Sequence, residues 1–94
     1  MTGLDEHPEL RAFVGEDGRL LRIPRRRVPR LVLLDALAQS FEVGRHYTEA
    51  EVNDTLRSAH ADVATLRRLL VDEGYLDRDA GEYWRSGGSV SGTE

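Results

Sequence analysis

The segment from Tyr47 to Asp72 constrains the fold more than any other stretch of this chain, because it carries two helix starts and the turn between them. Thr48 is placed to cap a helix, and Glu51 three residues later completes a capping box. Glu49 puts a second carboxylate in the first turn, where it complements the helix dipole. Val52, Leu56 and Ala59 recur at the spacing of one buried face, and this helix is expected to end near His60. Asp62 is a natural N-cap for the next helix, in which Val63, Leu66, Leu69 and Leu70 face inward. Gly74 then stands where a left-handed C-terminal glycine is expected. Tyr75 to Arg78 and Glu82 to Arg85 read as the strands of a hairpin around Asp79-Ala80-Gly81.

An earlier helix opens near Pro29. Leu31, Leu34, Leu37, Ala38 and Phe41 form its apolar stripe, widened by Val32 and Leu33, and Gly44 closes the segment. Arg45-His46-Tyr47 is expected to be a short extended link. Before the helix, Arg19 to Ile23 reads as a strand ended by Pro24, and Pro8 starts a short helix toward Phe13. Three helices followed by a hairpin make a mainly α fold with a small β-hairpin: a winged-helix-like domain with an N-terminal strand. The expected organisation is an N-terminal extension over 1–17, the domain over 18–85, and a Gly- and Ser-rich disordered tail over 86–94.

Charge narrows the function. The net charge is −4, yet it is segregated. Residues 1–18 hold five acids and one Arg, whereas residues 19–30 hold six Arg and no acid. All 13 basic residues are Arg. Such segregation sets up a local positive field on an acidic protein. On the third helix, a rotation of about 100° per residue turns Ala61, Ala64, Thr65, Arg68 and Asp72 outward, with Arg67 on the flank. Arg68 can reach a guanine edge or a phosphate, and Thr65 a phosphate. Arg25, Arg26 and Arg27 suit a phosphate backbone or an acidic partner, and equally a solvated linker. The hairpin adds Arg78 and Arg85 among Asp77, Asp79 and Glu82.

Catalysis and metal binding find little support. With no Cys, disulfides and thiolate sites are excluded. No Gly-rich loop precedes a helix, and Ser40 and Ser58 have no evident partner base. His60, Asp62 and the more distant His46 are legitimate metal ligands by type. Capping accounts for Asp62, however, and the helix dipole for His60. No enzyme activity, metal or cofactor is expected. No apolar run spans a membrane and the acidic start is unlike a signal peptide, so a cytoplasmic protein without membrane contact is expected.

Taken together, Gly18-Arg19-Leu20, Ile23-Pro24, Leu33-Leu34-Asp35, Gly44-Arg45, Tyr47-Thr48-Glu49, Glu51-Val52-Asn53, His60, Asp62, Thr65 to Arg68, Leu70-Val71-Asp72 and Tyr83-Trp84-Arg85 resemble the DUF2087 family, over roughly residues 18–85. That bacterial domain has no assigned function and occurs alone or fused behind helix-turn-helix regulatory domains. The resemblance implies a link to transcription and groups His60 and Asp62 with Arg67 and Arg68 in one local network. No helix-turn-helix domain precedes the match in these 94 residues, so the resemblance implies direct DNA contact or some other partner. The expected function is a non-catalytic regulatory module that binds double-stranded DNA. A protein-interaction or homodimerisation module is the alternative, and a small-molecule sensor using His60, Asp62 and Arg67 a third.

Overall fold

A computed structural model describes residues 3–89. Three α-helices pack with a three-stranded antiparallel sheet, in the order α1 (Arg27–Ala38), β1 (His46–Thr48), α2 (Glu49–Arg57), α3 (Val63–Asp72), β2 (Leu76–Asp79) and β3 (Glu82–Arg85). Two short 3-10 helices, Leu4–Glu6 and Pro8–Phe13, precede them. The result is a small α+β domain. Among the described residues, no helix is long and apolar enough to cross a membrane.

The helix starts follow from local chemistry. The Thr48 hydroxyl accepts from the Glu51 N–H at 3.1 Å, and the Glu51 carboxylate accepts from the Thr48 N–H at 2.8 Å. Both bonds of the capping box are therefore made, and two otherwise orphaned donors are satisfied. Thr48→Ala is expected to cost about 1 kcal/mol, read as a lower urea midpoint; an unchanged midpoint would show that water replaces the cap without loss. Helix α1 begins two residues before Pro29 and has no side-chain cap at Arg26. The proline is tolerated there because a first-turn N–H has no helical partner. Arg27 thus belongs to the helix rather than to the basic link.

The strand expected at Arg19–Ile23 does not form. Leu20 makes a single isolated bridge to Val14. Its N–H goes to Ala59 O at 2.9 Å, while the Leu21 N–H goes to Phe13 O at 2.7 Å. Residues 16–19 form the turn beside this bridge and the chain bends away after Leu20, so the pairing stops at one bridge. Leu20 and Pro24 are buried all the same, so the segment is pinned across the domain.

The sheet is one strand larger than the expected hairpin. The extended link became β1, which pairs with β3, giving the strand order β1-β3-β2. Tyr47 lies opposite Tyr83, and both face the core. Tyr83 is 1% exposed and its hydroxyl donates to the Glu49 carboxylate at 3.2 Å. Phe41 packs edge-on against Tyr47, with centroids 5.1 Å apart. Leu10, Leu33, Leu34, Val52, Leu56, Leu66 and Leu70 complete a continuous core.

The β2–β3 turn is Ala80-Gly81 alone, with Asp79 inside β2. Both turn residues have positive φ, 52° and 83°. That is the signature of a type I′ hairpin turn, which favours Asn over Ala at the first position. Ala80→Asn is therefore expected to stabilise the domain by about 0.5–1 kcal/mol in urea unfolding, because alanine resists the left-handed region.

Ser86 to Ser89 lie within the described residues and return across α1. The Ser89 N–H and hydroxyl both donate to the Asp35 carboxylate, at 2.6 and 2.9 Å. The rest of the expected disordered tail, 90–94, falls outside the described residues.

Candidate nucleic-acid interface

Helix α3 is fastened at its N-terminus by a compact set of bonds. Asp62 Oδ1 accepts from the Thr65 N–H at 3.2 Å, and Oδ2 from the Thr65 hydroxyl at 2.7 Å. The Asp62 N–H donates to His60 Nδ1 at 3.0 Å. An accepting Nδ1 places the proton of a neutral imidazole on Nε2. His60, Asp62 and Thr65 are thus joined by hydrogen bonds, with Arg68 as a neighbouring charge, whereas Arg67, expected in the same group, turns instead to Asn53 and Glu49.

The two Thr65 hydrogen bonds, side chain then backbone, hold the Asp62 carboxyl below the usual carboxylate range; the His60 and Arg68 charges add smaller effects. A depressed folded-state value means that this contribution to stability is complete above the ordinary carboxylate range and is lost as pH falls through the lowered value. Asp62→Asn keeps a capping acceptor but cannot titrate. It is expected to flatten this part of the acid limb when urea midpoints are compared between about pH 5 and about pH 2. Parallel acid limbs for the two proteins would refute this.

Beside the first half of α3 lies an open depression of about 420 Å³. Its walls bring together Arg25, Thr65 and Arg68, which are far apart in sequence, with Arg22, Arg30 and the His60–Asp62 pair. Arg22 lies over the Phe13 ring at 4.7 Å, and Arg30 Nε donates to Pro24 O at 3.2 Å. Among the described residues, none of these four guanidiniums enters an ion pair. Four cations therefore face one carboxylate, whose oxygens already accept from Thr65. A positive field on an acidic protein is the consequence.

The other expected contacts are dispersed. Arg26 is exposed at the start of α1, beside Arg25. Arg27 turns toward Glu73, 3.8 Å away. Arg67 is committed to α2: its guanidinium donates to Asn53 Oδ1 at 2.5 Å and lies 3.8 Å from Glu49, with only 20% of the side chain exposed. Arg85 donates to the carbonyls of Gly87 at 3.0 Å and Phe41 at 3.3 Å, and to that of Ser89. Arg67 and Arg85 are packing residues in this structure, not free cations. Arg78 is exposed but sits over the Tyr83 ring at 5.7 Å.

Alternation along the strands leaves the opposite face of the sheet acidic. It carries Asp77, Asp79 and Glu82, together with His46 stacked on Trp84 at 4.7 Å and bonded to Glu82 at 2.8 Å. A hairpin with that face does not add to the basic surface. Conversely, Arg22 and Arg30 were not singled out from the sequence. Their signal was the acid-free run of six Arg over residues 19–30, which held them all along.

No curated protein and no solved structure matches the chain. A family model does, and it spans the depression, α3 and the whole sheet: residues 19–85 match the family described as an uncharacterized protein conserved in bacteria, so the chain belongs to the DUF2087 family.

Proposed function

We propose that this protein is a non-catalytic regulatory module of winged-helix type that binds double-stranded DNA in a transcription-related, cytoplasmic role. The observation that carries this reading is the meeting of Arg22, Arg25, Arg30 and Arg68 beside an accessible α3, without ion-pair partners among the described residues. Helix, strand, two helices and a hairpin, with β3 central in the sheet, agree with a winged-helix plan. Arg68 and Thr65 lie on the helix that such folds offer to a groove, and Arg25 and Arg26 extend the cationic surface for the phosphate backbone.

Fluorescence anisotropy with a labelled random duplex at low salt tests it. Binding at micromolar protein that weakens steeply as salt rises is expected, because phosphate neutralisation releases counterions. No binding under those conditions ends the proposal.

A second reading, a protein-interaction or dimerisation module, draws on the acidic sheet face with its half-buried Trp84. Aromatic side chains are favoured in interface cores. Light scattering separates the readings: a stable dimer that covers α3 is incompatible with groove insertion.

A further inference from the structure

A phosphate backbone needs cations and hydrogen-bond donors. The depression beside α3 offers those and something a phosphate does not use, an apolar floor. Leu21, Ile23 and Leu69 line it between the guanidiniums. Leu21 is 65% exposed, one of three large apolar side chains so placed among the described residues. Its volume of about 420 Å³ falls within the usual range of small-molecule sites, roughly 300–1,000 Å³.

We propose that this depression is a binding site for a small organic anion with a flat apolar body, of the aromatic carboxylate class. The body would rest on Leu21, Ile23 and Leu69, and the anionic group would bridge Arg25 and Arg68. Guanidinium is suited to both tasks, since it pairs bidentately with carboxylates and stacks on aromatic planes. Arg22 already makes such a contact with Phe13. The surrounding bonds leave the basic rim available. Asp62, the single carboxylate among the described lining residues, is occupied by Thr65, and His60 Nδ1 is occupied by the Asp62 N–H, so the imidazole keeps Nε2–H as a donor. A metal ion is a poor match, because guanidinium groups offer donors and no lone pairs. A ligand seated here takes the same guanidiniums that a phosphate backbone would, which makes the site a natural place for an effector to oppose DNA binding.

Calorimetric titration of the full chain with 2-naphthoate, without nucleic acid, tests the inference. Saturable binding is expected. Neutral 2-naphthol and inorganic phosphate should each bind at least about tenfold more weakly, one lacking the charge and the other the apolar body. Arg25→Gln with Arg68→Gln should weaken 2-naphthoate by at least about tenfold. Leu21→Ser, at an exposed position that leaves the core intact, should weaken it several-fold with an unchanged melting temperature.

Equal affinity for 2-naphthol would mean plain apolar adsorption, and equal affinity for phosphate a bare anion site. Either result overturns the proposal, as does unchanged binding in the double variant. Phosphatidylglycerol vesicles form the last arm: capture by vesicles without 2-naphthoate binding would assign the chemistry to a lipid surface instead. Duplex binding is read separately by anisotropy, so loss of either activity leaves the other reading standing.

Discussion

Arg25→Gln combined with Arg68→Gln is expected to weaken binding of a random duplex by about a hundredfold or more at low salt, because each charged hydrogen bond to phosphate contributes about 1.5–3 kcal/mol. The slope of log affinity against log salt should fall by about 1.8, since each lost phosphate contact removes about 0.9. Both guanidiniums line the depression beside α3, and neither forms an ion pair among the described residues. Their removal therefore takes away cation without stranding a carboxylate. Arg67→Gln provides the contrast. Arg67 is its sequence neighbour but serves Asn53 and Glu49. Its loss should leave the salt slope unchanged and cost about 1–2 kcal/mol of stability. If the double variant kept the slope of the original protein, the depression would not be where DNA is held.

Phe41→Ala is expected to remove about 3–5 kcal/mol of folding stability. A domain of this size has about 5–15 kcal/mol in total, so the loss would take most of the stability at the lower end of that range. Phe41 is 1% exposed and meets the Tyr47 ring edge-on at 5.1 Å. Tyr47 in turn accepts from the Glu42 N–H at 2.8 Å through its hydroxyl, and Arg85 reaches the Phe41 carbonyl. The ring therefore joins the segment after α1 to β1, while β3 holds the Phe41 backbone through Arg85. Urea unfolding with an unchanged dependence on denaturant and a much lower midpoint would confirm the cost. A loss below about 1 kcal/mol would mean that the site collapses around the missing ring with little residual cavity.

The features legible in advance share one property: their partners are close in sequence. Thr48 and Glu51 are three residues apart, as are Asp62 and Thr65, and each pair makes the bonds that capping chemistry requires. Of the outward set expected from helical rotation, Ala64, Arg68 and Asp72 are exposed on α3, Ala61 is exposed but precedes the helix, and Thr65 is half-buried with its hydroxyl on Asp62. Family membership was legible too, because it rests on residue types in order.

The expected strand over Arg19–Ile23 shows where such reasoning stops. Leu20, Leu21 and Ile23 are compatible with a strand bounded by Pro24, but a ladder needs a neighbour. Leu20 donates instead to Ala59, far along the chain. The fates of the arginines diverge for the same reason. Arg67 and Arg68 are adjacent and chemically identical. One is held against α2 and the other lines an open basic depression.

By itself, the order of residues determined where the two capped helices, α2 and α3, begin, which faces are apolar and how much positive charge gathers around the start of α1, since caps, periodicity and composition act over a few residues. Only the tertiary structure decided which guanidiniums are spent on neighbours and which stay available. That choice depends on carboxylates, carbonyls and rings brought near by packing, and the field of a charge falls off over ångströms in space, not over positions in a chain.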